Sequence, residues 1–253
     1  ETFISTDDLR VNLWHLDASD CAFNIIDMKP ANMEDLTEVV TAAQFHPVDC
    51  NTLVYSSSKG TLKVCDMRQN ALCDNHVKLL EEKQTGPGSF YSDIVSSISD
   101  IKFTKEGRYI VSRDYMTLKI WDVNMEAAGP VETIHIHEHL RGSLRELYES
   151  ECIFDKFECA ISPDANNILT GSYNNYFHVF DRFGQSDMCM HAAGEQSQCT
   201  YKINGTTTDG KGHKHPAERE QINFDSKVLR LAWHPTRSLI AVGTYSAISL
   251  YSL

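Results

Sequence analysis

An all-β fold built from repeated antiparallel units is what this sequence predicts, on three observations. First, five segments alternate apolar and polar residues and close on a bulky or sulfur-bearing side chain: Leu9 to Trp14, Thr61 to Cys65, Thr117 to Trp121, Tyr176 to Phe180 and Ala247 to Tyr251. Such alternation is the signature of a half-buried strand. Second, Asp66, Asp122 and Asp181 directly follow three of the closing residues, and Asp17 follows Trp14 closely. Third, four of the segments are preceded by a second phrase: Phe45-His-Pro47, Phe103-Thr104, Ile161-Ser-Pro163 and Trp233-His-Pro235. The offsets from its first residue to the closing one are 20, 18, 19 and 18. Together these are the marks of a WD-repeat β-propeller.

The closing residues lie 51, 56, 59 and 71 apart, beyond the roughly 40–45 residues of a plain repeat. The excess therefore sits in loops. Taken in order, the chain reads as an incomplete blade over 1–30 and blades near 40–80, 98–137, 157–192 and 227–253, with a flexible insertion over 185–225. That makes one partial propeller of about four and a half blades, with short helices in the connections between blades. The sequence opens inside a blade, on Phe3-Ile4-Ser5, and nothing before it can pair with the last strand, Ile248 to Leu253. The expectation is the C-terminal portion of a longer ring.

Net charge is −12 over 253 residues. Residues 1–50 hold ten acids and two bases, whereas residues 201–253 hold four acids and seven bases. An acidic surface repels phosphates and attracts basic peptides, so no nucleic-acid partner is expected. The eight cysteines form no Cys-x-x-Cys pair, which reads as free thiols in a reducing compartment. The cytoplasm, with the nucleus as a second location, fits. No apolar run reaches the length of a membrane span and no signal-peptide pattern is present, so no membrane partner is expected either. Asn204-Gly-Thr206 matches a glycosylation sequon without consequence in such a compartment.

In a WD blade the strands run a to d from the centre outward, and the Trp phrase is strand c. The b–c turns and d–a connections then share one face, where a rigid scaffold presents loops for binding. Asp7 and Asp114 each stand seven residues before their Trp and are expected to cap that turn. Trp14, Trp121, Phe180 and Trp233 are structural likewise. Asp8, next to Asp7, meets Lys59, Tyr115 and Asn174 at the matching positions, and is the better candidate for function. In the first connection, Pro30 to Val39 reads as a short helix capped by Asn32, with Leu36 and Val39 on one face. Beyond Gly86-Pro-Gly88 come Phe90 and Tyr91, which cannot both point inward from one strand. An exposed aromatic there suits a partner-binding hot spot. Leu140, Leu144 and Leu147 form a helical stripe for the core, leaving Tyr148, Glu151, Phe154 and Lys156 for the same face.

Catalytic chemistry finds no footing. There is no Gly-x-Ser-x-Gly elbow, P-loop or Gly-x-Gly-x-x-Gly, so no catalytic residue and no cofactor are assigned. His135, His137 and His139 alternate as a three-His metal site would, but a solvated outer strand is the expected reading. His213 and His215 belong to a polar loop of the insertion. No metal site is predicted.

The loops carry a resemblance. Asp7 to His15, Lys29 to Glu38, Tyr55 to Gly60, Cys65 to Arg68, Asp114-Tyr115, Ile153 to Glu158 and Thr170 to Asn175 resemble the B-type, WD-repeat regulatory subunit of serine/threonine protein phosphatase 2A. The likeness covers the whole chain and weakens around Gly86 and over 185–225. It implies a seven-bladed ring without enzymatic activity of its own. That ring docks on the phosphatase scaffold subunit beside the catalytic subunit and selects phosphoprotein substrates with its acidic top face, which takes up basic or helical segments. Asp8, Leu36, Val39, Phe90, Tyr91, Ser97, Tyr148, Glu151, Phe154 and Lys156 match family positions on that substrate-binding face. Glu151 is longer than the family's Asp. The hairpin that grips the scaffold in the family projects from an earlier blade. A general WD adaptor, such as a ubiquitin-ligase substrate receptor, is the alternative with the same fold.

Overall fold

The computed structural model describes residues 1–69, 72–73, 77–82, 90–125, 129–183, 186–192, 200–203 and 222–252. They form two compact units, Glu1–Thr133 and Ile134–Leu253.

The first unit begins with a three-stranded sheet of β1 (Thr2–Thr6), β2 (Arg10–His15) and β3 (Ala18–Asp27). A four-stranded sheet follows: β4 (Val40–Phe45), β5 (Thr52–Ser57), β6 (Leu62–Asp66) and β7 (Val77–Leu80). The next has β8 (Asp100–Phe103), β9 (Tyr109–Arg113), β10 (Thr117–Asp122) and β11 (Glu132–His135), and β11 carries the chain into the second unit. There β12 (Cys159–Ile161), β13 (Asn167–Gly171), β14 (Tyr176–Asp181), β15 (Ser186–His191) and β16 (Thr200–Ile203) make five strands. The last sheet is β17 (Arg230–Trp233), β18 (Leu239–Gly243) and β19 (Ile248–Ser252). Successive small antiparallel sheets in which sequential strands are spatial neighbours fit the blades of a propeller. Part of the 185–225 stretch is thus strand. Most of the remainder, with Asn204, His213 and His215, lies outside the described residues.

The repeat in sequence is a repeat in register. Each closing residue faces an apolar residue of strand b: Trp14 opposite Phe3, Cys65 opposite Leu53, Trp121 opposite Ile110, Phe180 opposite Ile168 and Tyr251 opposite Ile240. The following aspartate caps the c–d turn. Asp66 Oδ1 accepts from Arg68 N, and Asp122 Oδ1 from Asn124 N, each at 2.9 Å.

Among the five strands that end on a closing residue, the alternation of a half-buried strand holds only for β19, and the interior ones differ. All of β10 except Lys119 is buried. Within the first unit, Leu53 and Tyr55 of β5 join Val11, Ile26 and Val40 in one core, while Val54 joins Ile101, Ile110 and Trp121 in another. A blade lies between two neighbours, so both of its faces must be apolar. In the second unit Leu169, Phe177, Val179 and Met190 pack on Val228, Ile240 and Val242. Fully burying a side chain such as Leu53 contributes about 1.5–3 kcal/mol.

Three connections depart from expectation. After Asn32, whose side chain accepts from Glu34 N, only the 3-10 turn Met33–Asp35 forms. Leu36 is already extended, so Leu36 and Val39 share no helical face. Phe90 opens a helix, α1 (Phe90–Val95), rather than a strand. The three histidines do not line a solvated strand. His135 is exposed at the end of β11, while His137 is fully buried and bonds Ser172 Oγ at 3.0 Å. The stripe runs as a 3-10 turn, Glu138–Ser143, into α2 (Leu144–Glu149), with Leu140 and Leu147 buried. Among the described residues no three potential ligands could hold a metal ion, and no helix is long and apolar enough to cross a membrane.

Candidate functional site

The b–c turns hold the first group of predicted residues. Asp7 Oδ1 accepts from Leu9 N and Arg10 N at 2.8 and 2.7 Å. Asp114 does the same for Met116 and Thr117 (2.9 and 2.6 Å) and takes the Thr117 hydroxyl on its other oxygen. Lys119 closes the arrangement, 3.1 Å from Asp114 and 2.9 Å from Glu82. Burial pushes the Lys119 ammonium down, but the two carboxylates outweigh it and hold its pKa above the ordinary value. Both aspartates are therefore occupied in shaping their turns. Asp8 is exposed, and among the described residues only its backbone is engaged, accepting from Val40 N at 2.8 Å.

That bond recurs along the unit. Val39 O accepts from Ser58 N at 2.9 Å and Val95 O from Tyr115 N at 3.2 Å, so the connections are laced to the b–c turns. Asp8 and Val39 thereby become neighbours. The turn over 57–61 lies against Ser96, beside Ser97. Gly60, at φ +78°, has no space for a side chain beneath the Ser96 carbonyl. Phe90 is 65% exposed and its ring meets Tyr91 edge-on at 5.5 Å. Leu36 borders a cleft of about 270 Å³ with Met28, Tyr55, Asp27, Glu38 and Lys63. Burial raises the Glu38 carboxyl, yet hydrogen bonds from Lys63 (2.5 Å) and Ser57 win and keep it below its usual range. The Lys29 N–H does the same for Asp27, aided by Arg10. Each of these carboxylates on the cleft thus already has a cationic partner, Lys63 for Glu38 and Arg10 for Asp27.

The second unit gathers the other four. Tyr148, at the end of α2, and Phe154, in the 3-10 turn Cys152–Phe154, are both exposed, with ring centroids 5.9 Å apart. Between them Glu151 stands in the left-handed region at φ +61°, its side chain exposed. Lys156 is exposed two residues beyond Phe154. Below, Ile153, Leu147 and Phe157 are buried. The turn therefore lifts an aromatic pair and an acid off an apolar base.

Asp155, Tyr173 and Lys227, which hold this turn, escaped sequence reasoning. Lys227 pairs with Asp155 across 72 residues, and no local pattern announces such a bond. Of the structural residues, Trp121 is buried and Phe180 stacks on His178 at 5.4 Å. Trp233 joins the second-unit core, its buried Nε1 without an acceptor among the described residues.

No family model matches the chain. A curated relative does: the serine/threonine-protein phosphatase 2A regulatory subunit phr2AB of Dictyostelium discoideum is 51% identical over 261 residues, covering the whole of this chain. Over its whole length the chain is thus similar to a regulatory subunit of protein phosphatase 2A. It spans 53% of the length of that relative. Among solved structures, the β-propeller domain of Cps50 (Swd1) from Myceliophteria thermophila matches with TM-score 0.54 and 12% identity, over all of this chain and 67% of that one. Raptor of Chaetomium thermophilum gives 0.60 and 14%, over 99% of this chain and 19% of that one. At such identities the solved structures speak for the propeller fold alone, and the likeness to a phosphatase 2A regulatory subunit comes from sequence.

Proposed function

We propose that this chain is the substrate-selecting part of a non-catalytic regulatory subunit of protein phosphatase 2A. The reading is supported above all by the 51% identity to a protein named as a phosphatase 2A regulatory subunit. The ten family positions of the recruiting face are the second support, because all ten hold loop, turn or helix residues and none lies in a blade core. Basic or helical segments of phosphoproteins would meet Asp8 and Glu151 with Lys or Arg. Leu36, Val39, Phe90, Tyr91 and Phe154 would take their apolar residues, with Ser97, Tyr148 and Lys156 at the rim. A good apolar anchor contributes about 2 kcal/mol, and exposed charges act mainly on the association rate. Held on the scaffold subunit beside the catalytic subunit, such a face raises the local concentration of the phosphosite near the catalytic centre.

The test is substrate capture by the full-length protein carrying Asp8→Lys or Phe154→Ala. Each is expected to lower capture about tenfold while leaving association with the scaffold intact. Unchanged capture with both would refute the recruiting face.

A further inference from the structure

The turn that carries Glu151 and Phe154 is gripped by a segment far along the chain. Residues 222–228 run beside the b–c turn that joins β13 to β14. Asn223 N donates to Asn174 Oδ1 at 2.5 Å, Asn175 N to Ser226 O at 3.1 Å and Val228 N to Ser172 O at 3.0 Å. Tyr173 and Lys227 form an antiparallel bridge, and Phe224 meets the Tyr173 ring edge-on at 5.0 Å. The lacing needs glycine at 171, where a Cβ would collide with the Val228 carbonyl oxygen.

From this strap Lys227 Nζ reaches Asp155 Oδ1 at 2.6 Å, and the Tyr173 hydroxyl stands 2.9 Å from Asp155 Oδ2 and 3.0 Å from Cys152 O. Asp155 ends the 3-10 turn, its own N–H on Cys152 O at 3.1 Å. One carboxylate, only 13% exposed, is thus held by an ammonium and a phenol at the foot of the turn. Tyr173 is itself wedged among Phe157 (5.2 Å) and His137 (5.6 Å), so the grip is rigid. Glu151, four residues earlier, is in a backbone region that L-residues avoid. Such a conformation persists only where its surroundings impose it.

We propose that Lys227, acting through Asp155 with Tyr173, is a positioning residue that fixes this turn and so presents Glu151 and Phe154 for docking. Its consequence for docking rests on the recruiting reading above; the positioning itself does not. Without the ammonium, the largely sheltered carboxylate turns toward water, the foot of the turn loosens and Glu151 relaxes out of the left-handed region.

Hydrogen exchange on the intact protein reads the positioning directly. Lys227→Met is expected to speed exchange of the amides over 152–155 about tenfold, the scale of one charged hydrogen bond, with β13 and β14 unchanged. Lys227→Arg is expected to restore protection. A synthetic basic helical peptide, with leucines on one face and lysines on the other, supplies the binding probe. Its affinity should fall about tenfold in Lys227→Met, as in Phe154→Ala, and recover in Lys227→Arg. Unchanged exchange at the turn, or equal acceleration in β13 and β14, would overturn the proposal. So would a peptide that Phe154→Ala weakens and Lys227→Met does not. Faster exchange confined to the turn, with peptide affinity untouched by either substitution, would uphold the positioning and sink the recruiting face.

Discussion

Trp121 Nε1 donates to Ser112 Oγ at 2.8 Å, and nine residues separate donor from acceptor, as they do for Trp14 and Ser5 at the same distance. The bond ties strand c to strand b inside a core where both residues are almost fully buried. Removing either partner strands the other without water. Ser112→Ala and Trp121→Phe are each expected to cost about 1–3 kcal/mol. The double variant should cost less than the sum, since no polar group is then left unmet. Urea unfolding of the four proteins checks this, and strict additivity would mean that the bond contributes nothing.

Gly171 ends β13 where Val228 crosses it. Gly171→Ala must push the strap and strand apart, at about 1–3 kcal/mol. Thermal unfolding measures it. A variant as stable as the parent would show that the strap does not run there.

His178 is buried between Asp187 Oδ1 at 3.0 Å and Cys189 Sγ at 3.9 Å. Burial by itself lowers an imidazole pKa, but the hydrogen bonds to Asp187 and Cys189 outweigh it and raise His178 to about 10. A folded pKa above the unfolded value of about 6.5 means that protonation stabilises the fold. That contribution is complete below about pH 6.5 and fades as pH climbs to about 10. The stability advantage of the parent over His178→Gln should therefore shrink from neutral pH toward pH 10. Urea melts across that range test it, and a constant difference would contradict a charged His178.

Glu151 holds φ +61° without being glycine or asparagine. Glycine relieves that conformation, so Glu151→Gly is expected to leave stability unchanged or raise it by about 1 kcal/mol. Substrate capture should meanwhile fall, because the exposed carboxylate is gone. Opposite signs in the two assays would separate docking from folding at this residue, whereas a fall in both would make Glu151 a structural residue.

Much of the fold was legible because the blade repeats. The closing residues of strand c announce register as well as strand, and Asp7 and Asp114 announce their turns. What failed was whatever depends on a distant partner. The alternation in β10 suggested one wet face, but a blade has two neighbours and both faces are dry. His137 looked solvated in its alternating run, yet Ser172, 35 residues away, receives it. Asn32 correctly marked a cap, although its turn ends at Asp35 because the chain must leave for β4 and Val39 bonds Ser58 instead. Of the candidate docking residues, exposure at Asp8 and Phe90 followed from local chemistry. The support beneath Phe154 did not, since Asp155 and Lys227 meet only in the folded chain.

The most direct measurement is affinity capture of the full-length protein from a cell lysate, with an assay for co-purifying scaffold and catalytic subunits and for okadaate-sensitive phosphatase activity. Both subunits and the activity should be recovered, undiminished by Asp8→Lys, while bound phosphoproteins are lost from that variant. Ubiquitin-ligase components in place of the phosphatase subunits would leave the propeller standing and contradict the regulatory-subunit function.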